Sequence, residues 1–314
     1  MRLFFLTALI AVSAFGAKSN YDYFRTGNSA NAVRTTAGGV MLIGGGTDVD
    51  VAFQQLCAWG ANGDVLVIRA TGTDAYNPYI AGLCPSANSV ATLVVPTTAG
   101  ANDPAVANII NNAEAIFIAG GDQGTYISQW TGTGLQTALN NARSAGRPLG
   151  GTSAGMMVLS EWVYSALLPK GITSSQALAD PFSRYLTIAR GLVNIPLLQG
   201  AISDSHFGAR DRTGRDLAFL CRVYAAGGPT NPRSIAIDEA TALLINSSGV
   251  STVVGAGAVY FLQAPGAPQT CAAGVPLTYL NVGVQKVTAG GTSAYTVSAT
   301  SGVLSSTQAG GAIY

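Results

Sequence analysis

The 314 residues are 48% hydrophobic and 10% charged, with a net charge of +1. This balance provides apolar side chains for a large core and excludes an intrinsically disordered chain. It leaves no basic surplus to hold nucleic acid and no acidic block to act as a solvating tail.

In chain order, Arg2 and the apolar stretch from Leu3 to Phe15 read as a signal peptide over residues 1–17, cleaved after Ala14 or Gly16. About 13 apolar residues are too few for a membrane span, which needs roughly 20. No later segment is long and apolar enough, so the expectation is a secreted protein without a membrane span. Residues 18–37 form a polar lead-in.

Residues 38–288 are then expected to form one α/β domain. Short apolar runs occur at Gly39 to Ile43, Asp64 to Ala70, Val90 to Pro96, Ala115 to Ala119 and 147–151. Stretches with helical spacing lie between or after them: Asp48 to Trp59, Pro104 to Asn112, Leu135 to Ala145 and Ala154 to Tyr164. Continuous apolar runs alternating with helices predict a mostly parallel sheet sandwiched by helices. From Ser234 the text turns to short strands: Ser234 to Ile237, Ala242 to Ile245, Val250 to Val254, Ala258 to Leu262, Thr278 to Val287 and Ala294 to Val303. They form either the β-rich end of the same domain or an appended sheet. Residues 289–314, rich in Gly, Ser, Thr and Ala, are a β-rich or loose tail.

Cys57, Cys84, Cys221 and Cys271 are even in number and widely spaced, which suits disulfides in an exported protein. Cys57 precedes a strand and Cys84 follows it, so these two are expected to pair, leaving Cys221 for Cys271. No metal-ligand spacing occurs. Gly44-Gly45-Gly46 lacks both the dinucleotide-binding spacing and a P-loop lysine, so neither metal nor cofactor is expected. Asn246-Ser247-Ser248 is a glycosylation sequon, relevant only in a host that glycosylates.

Gly151-Thr152-Ser153-Ala154-Gly155 lies between an apolar strand and a helix, the setting in which G-x-S-x-G forms a nucleophile elbow. The hydroxyl of Ser153 would stand at a helix N-terminus, where the Ala154 amide faces a developing oxyanion. The same string also occurs in ordinary Ser-Gly loops. His206 is the sole histidine, hence the only candidate for a histidine base. Arg210, Arg212 and Arg215 follow it within nine residues. Such a cluster is either a solvated face or a carboxylate pocket, since guanidinium pairs bidentately with carboxylates.

Together these motifs resemble the cyanophycinase branch of the aspartyl dipeptidase (peptidase E) family of serine peptidases. The resemblance runs from about Gly39 to about Leu262. It rests on Gly44-Gly45-Gly46, Thr73-Asp74-Ala75-Tyr76-Asn77 and Phe117 to Gln123, then on the serine motif, the Asp204 to Arg215 block and Ile237 to Ala242. It implies a fold of the class I glutamine-amidotransferase kind and a triad of Ser153, His206 and Glu239. It further implies oxyanion donors at Ala154 and Gly121, and substrate-binding residues Gln123, Asp204, Arg210, Arg212 and Arg215. Apart from the resemblance, Asp74 is a candidate partner, with Asp204, for cationic groups of a substrate. The implied substrate is a peptide rich in aspartyl residues, with β-aspartyl-arginine bonds first in line.

Two departures stand out. Ser205 replaces the glutamine that cyanophycinases carry between the aspartate and histidine. Dipeptidase relatives are often assigned an acid soon after the nucleophile; here that stretch offers Gln176 and Asp180, and Glu239 is preferred. An aspartyl dipeptidase, or a catalytically silent secreted binding protein on the same fold, are the alternatives. A homodimer is left open.

Overall fold

A computed structural model describes residues 20–314, so the signal peptide expected over residues 1–17 lies outside the described residues. In chain order the elements begin with β1 (Asp22–Gly27), β2 (Val40–Ile43), α1 (Asp50–Trp59), β3 (Asp64–Arg69), α2 (Tyr76–Leu83) and β4 (Ser89–Val94). Then come α3 (Thr98–Ala101), α4 (Pro104–Asn112), β5 (Ala115–Ile118), α5 (Gln123–Trp130), α6 (Gly134–Ser144), β6 (Leu149–Thr152) and α7 (Ala154–Met157). The second half holds β7 (Trp162–Tyr164), α8 (Ser174–Ala179), β8 (Ile188–Arg190), β9 (Ala201–Asp204), α9 (Thr213–Ala225), β10 (Arg233–Ile237), β11 (Thr241–Ile245) and β12 (Ser251–Gly255). It closes with β13 (Ala258–Gln263), β14 (Tyr279–Thr288), β15 (Gly291–Thr300) and β16 (Val303–Ser306).

The chain is mixed α/β, with two eight-stranded sheets. In the first, β4, β3, β5, β6 and β2 are neighbours and all parallel. β2 and β5 are buried at every position, as strands covered on both faces must be. Antiparallel strands close the edges: β1 against β4, and β11 and β12 beyond β2. The second sheet runs β16-β15-β14-β13-β10-β9-β7-β8, parallel only at β10–β9 and β9–β7. One continuous core joins the two sheets, from Val40 and Ile116 through Ile202 and Ile235 to Val297.

The polar lead-in is not simply a lead-in. Its residues 22–27 form β1, whose exposed side chains hide a strand that pairs with β4, and Arg25 bonds Asp64 at 3.0 Å. The helix expected from Ala154 to Tyr164 ends at Met157. Trp162 to Tyr164 instead pair with Ile188 to Arg190, so tertiary pairing outweighs the local helical spacing. Most of the tail to residue 306 is strand, β15 and β16: Tyr295, Val297 and Ala299 alternate inward along β15 and are buried in the core. Both expected disulfides are present, Cys57–Cys84 between α1 and the end of α2, and Cys221–Cys271 between α9 and the β13–β14 loop.

Several helix starts are capped by the residue types physics favours. Asp103 accepts from Ala105 N with Pro104 in the first turn of α4, Asp122 caps α5, Thr133 caps α6, and Thr173 and Gln176 form a capping box on α8. Among the described residues no helix is long and apolar enough to cross a membrane.

Candidate active site

The β6–α7 turn places Ser153 at φ 52, ψ −118, a strained conformation for a residue with a side chain. Its surroundings force that sharpness. A Cβ on Gly155 would lie 2.1 Å from the Ile118 carbonyl oxygen, so the turn approaches β5 more closely than any other residue allows. The hydroxyl thereby stands clear of the sheet, and Oγ lies 2.8 Å from Nε2 of His206. Nδ1 of the same ring lies 2.6 Å from Oε1 of Glu239. Ser153, His206 and Glu239 come from the ends of β6, β9 and β10, three strands in two sheets.

The turn after β2 ties these segments together through three successive carbonyls. Ile43 O accepts from Ser153 N at 3.0 Å, Gly44 O from His206 N at 2.7 Å, and Gly45 O from Ala240 N at 2.9 Å. The glycines are a packing requirement. A Cβ on Gly45 would sit 2.4 Å from His206 Cε1, and one on Gly46 would sit 2.9 Å from Glu239 Cβ. Sequence reading singled out this run without giving it a role, because the role exists only once β2, β9 and β10 are assembled.

Burial is the largest influence on His206 and lowers its pKa. The hydrogen bond to Glu239 pushes upward and the nearby Arg210 and Arg212 push downward, and the balance falls below the ordinary histidine value. The ring is therefore neutral at neutral pH, the state in which Nε2 accepts a proton from Ser153. Glu239 is 40% exposed at its side chain, and its Oε1 also lies 3.8 Å from Nε of Arg210. Asp180 is elsewhere: its carboxylate accepts from Phe182 N and Gly274 N.

Ser153 and His206 open onto a cavity of about 520 Å³. Gly121 and Gln123 line it, as do Arg210, Arg212 and Arg215. Ala154 N is one of the first-turn amides that a helix leaves without an intrahelical acceptor, and Gly121 approaches from the β5–α5 turn. Asp204 does not line the cavity. It is fully buried beneath it, gripped at both oxygens by the Arg215 guanidinium and at 3.2 Å by Arg212 Nη1. Its sequence assignment to substrate binding is corrected accordingly: it fixes the arginines, which face the cavity. Asp74 is likewise absent from the cavity wall.

The three arginines differ. Arg215 is only 4% exposed and lies 5.3 Å from the ring centroids of Tyr164 and Phe219. Burial alone would lower its pKa, but Asp204 more than compensates and the net direction is up. Burial draws Arg212 down to about 10, still charged at neutral pH, while it donates to the carbonyl of Ser205 at 2.7 Å. Arg210 is half exposed, and its side chain pairs with Glu239 at 3.8 Å. The Ser205 side chain lies at the cavity wall and bonds Met157 Sδ and Arg212.

One wall escaped the sequence reading: Leu167, Leu168 and Pro169, on the loop after β7, add apolar lining to the cavity. No periodicity marks a loop of this kind. Among the described residues no His, Cys, Asp or Glu group is arranged to hold a metal ion.

Residues 89–179 match Peptidase family S51. The matched segment includes the Ser153 elbow and stops short of His206 and Glu239. The fold is similar to that of a peptidase from an acI-B1 Actinobacterium, with a TM-score of 0.55 at 19% identity, over 82% of this chain and 97% of that one. A putative peptidase E protein from Listeria monocytogenes EGD-e aligns with a TM-score of 0.45 at 15% identity, over 70% of this chain and 99% of that one. No curated protein matches the chain.

Proposed function

We propose that the protein is a serine-type peptidase acting on carboxylate-bearing peptides, with Ser153 as nucleophile, His206 as base and Glu239 as the acid that orients it. The observation that carries this reading is the unbroken relay from Ser153 Oγ through the His206 ring to Glu239, at 2.8 and 2.6 Å. His206 takes the hydroxyl proton as Oγ attacks the scissile carbonyl, and Glu239 steadies the imidazolium that results. The Ala154 and Gly121 amides face the oxyanion. His206 then passes its proton to the leaving amine, and water repeats the sequence on the acyl-enzyme to free Ser153.

The arginines supply the substrate side. Arg212 and Arg215 are held rigidly by Asp204, so their outward N–H groups are preorganised for a carboxylate near the scissile bond. A β-aspartyl peptide meets that arrangement, and β-aspartyl-arginine is the first substrate to test. The two disulfides support export to an oxidising compartment.

A second reading, an aspartyl dipeptidase that does not select arginine, is favoured by one feature. Asp122 is the carboxylate on the cavity wall, and both its oxygens are engaged in capping α5, by Gly124 N and Thr125 Oγ1. An arginine side chain in the substrate would have to share that carboxylate with the start of α5.

The test is fluorophosphonate labelling of the protein and its Ser153→Ala variant, followed by hydrolysis of β-aspartyl-arginine, its α-linked isomer, β-aspartyl-leucine and an uncharged peptide. Absence of labelling would sink the serine-peptidase reading. Equal rates on all four peptides would leave the labelling but remove the carboxylate clamp.

A further inference from the structure

The segment from His206 to Thr213 carries both the proposed base and Arg212, yet it is irregular. It makes a single 3-10 turn at Gly208–Arg210, and two of its non-glycine residues, His206 and Asp211, have positive φ values of 47 and 48. Such residues are costly and persist only where the surroundings hold them. The start of the segment is held from below by Gly44 O, by Ile237 O on Phe207 N at 3.1 Å, and by Asp238 Oδ1 on Gly208 N at 2.8 Å.

The far end is held by a residue far away in sequence. Tyr314 Oη donates to Asp211 Oδ1 at 2.9 Å and accepts from Thr213 N at 3.0 Å, bracketing Arg212 on both sides. Helix α9 begins at Thr213 with Arg212 at its N-cap and no side-chain cap of its own, so the tyrosine oxygen supplies the acceptor that the first turn lacks. The Tyr314 ring meets Phe207 edge-on at 5.5 Å and Tyr260 at 6.3 Å. Tyr295 Oη anchors the neighbouring Ile313 carbonyl at 3.1 Å. Burial raises the pKa of the Tyr314 hydroxyl, which therefore stays protonated and able to donate.

We propose that Tyr314 is a positioning residue for the active site: through the Asp211 carboxylate and the Thr213 amide it ties down the residues on either side of Arg212, and through Phe207 it braces the residue next to His206. Its effect on substrate rests on the carboxylate-clamp reading above; its effect on the segment does not. With Tyr314 in place, the Arg212 guanidinium is held at its tip by Asp204 and Ser205, the Arg212 backbone N–H donates to Phe207 O at 3.1 Å, and both its chain neighbours are tied to the tyrosine hydroxyl.

The experiment compares the protein with Tyr314→Phe, Asp211→Ala and Asp211→Asn. Amide hydrogen exchange is read over residues 207–213. Steady-state kinetics are read on a β-aspartyl peptide and on an uncharged activated ester. Tyr314→Phe and Asp211→Ala should speed exchange in that segment several-fold while leaving the middle of α9 protected. KM for the peptide should rise about tenfold, as expected for losing one or two hydrogen bonds, with ester turnover within about twofold. Asp211→Asn keeps an acceptor and should behave as the parent. Unchanged exchange over 207–213 in Tyr314→Phe overturns the proposal, and so does an equal loss on peptide and ester. A parent that prefers neither substrate counts against the carboxylate clamp alone, and exchange then decides the role of Tyr314.

Discussion

Glu239 offers one oxygen, Oε1, to His206 Nδ1 at 2.6 Å, while Arg210 Nε lies 3.8 Å from that same oxygen. His206 and the half-exposed Arg210 thus share one carboxylate, and the charge on Arg210 is among the influences that lower the His206 pKa. A general base works only when unprotonated, so activity should fall as pH drops through the His206 pKa. With that pKa below the usual value of about 6.5, the acid limb should sit at a lower pH than for a free histidine. Arg210→Ala removes positive charge, raises the pKa and should move the limb to higher pH. Rates on an uncharged ester across pH 4 to 8, roughly the range in which histidines titrate, check the direction. A limb that moves down or stays fixed contradicts it.

Ser153→Ala and His206→Ala should each remove nearly all turnover with the fold retained, since members of such a relay act as a unit. Glu239→Gln should cost about 10²–10⁴ in kcat, because it disturbs the tautomer and leaves the imidazolium unsupported. Asp180→Asn should cost little, its carboxylate being occupied with Phe182 N and Gly274 N. The measurement is kcat with circular dichroism as the fold control. A greater loss at Asp180 than at Glu239 would reassign the acid.

The arginines should separate by burial. Asp204→Ala leaves the Arg215 guanidinium buried without its partner, a change that typically costs about 3–5 kcal/mol, and thermal unfolding should register it. Arg215→Lys should also destabilise, because an ammonium cannot reproduce the two-pronged bond. Arg210→Ala should leave the melting temperature unchanged to within about 2 °C and act on KM, as expected for a half-exposed side chain. Comparable destabilisation by all three variants would mean that the cluster is only structural.

Much of this architecture is legible in the sequence, for definite reasons. Val40 to Ile43 and Ala115 to Ile118 are continuous apolar runs because both their faces are covered, and the Ser153 motif sits where such a strand meets a helix. The less legible parts depend on contacts between distant segments. β1 has a polar, exposed edge pattern, and β7 hides inside helical spacing until Ile188 to Arg190 come alongside. Asp204 is an acid in a basic block, and nothing local says whether it faces the cavity or the core. The extent of the second sheet is likewise unreadable locally, since its strands are drawn from residues 162 through 306.

Reduction should destabilise the protein without dismantling the relay. Cys57–Cys84 spans 27 residues and Cys221–Cys271 spans 50, and removing a bridge of that span typically costs about 2–4 kcal/mol. Non-reducing peptide mapping should recover those two pairs. Thermal unfolding with and without reductant should show a lower midpoint when reduced. Full alkylation of four thiols in the unreduced protein would rule the bridges out.

Gly45→Ala should be the most damaging change among residues that touch no substrate. Gly45 adopts φ +93, which a residue with a side chain resists, and an added Cβ would sit 2.4 Å from Cε1 and 2.5 Å from Nε2 of His206. Two responses are open to the chain. The imidazole shifts away and lengthens the 2.8 Å bond to Ser153, or the turn after β2 shifts and loosens the Ile43, Gly44 and Gly45 carbonyls that hold Ser153, His206 and Ala240. Either one breaks the alignment on which proton transfer depends, and a misplacement of about 1 Å costs on the order of 10²-fold in rate. The expected result is a loss of at least that size in both fluorophosphonate labelling of Ser153 and peptide turnover, with cooperative unfolding retained. Gly132→Ala is the control: that residue also has positive φ, at +74, but an added Cβ there meets nothing within 4 Å, so only backbone strain is added, with no contact to the relay. Equal labelling rates in the two variants would show that the turn after β2 does not position the base.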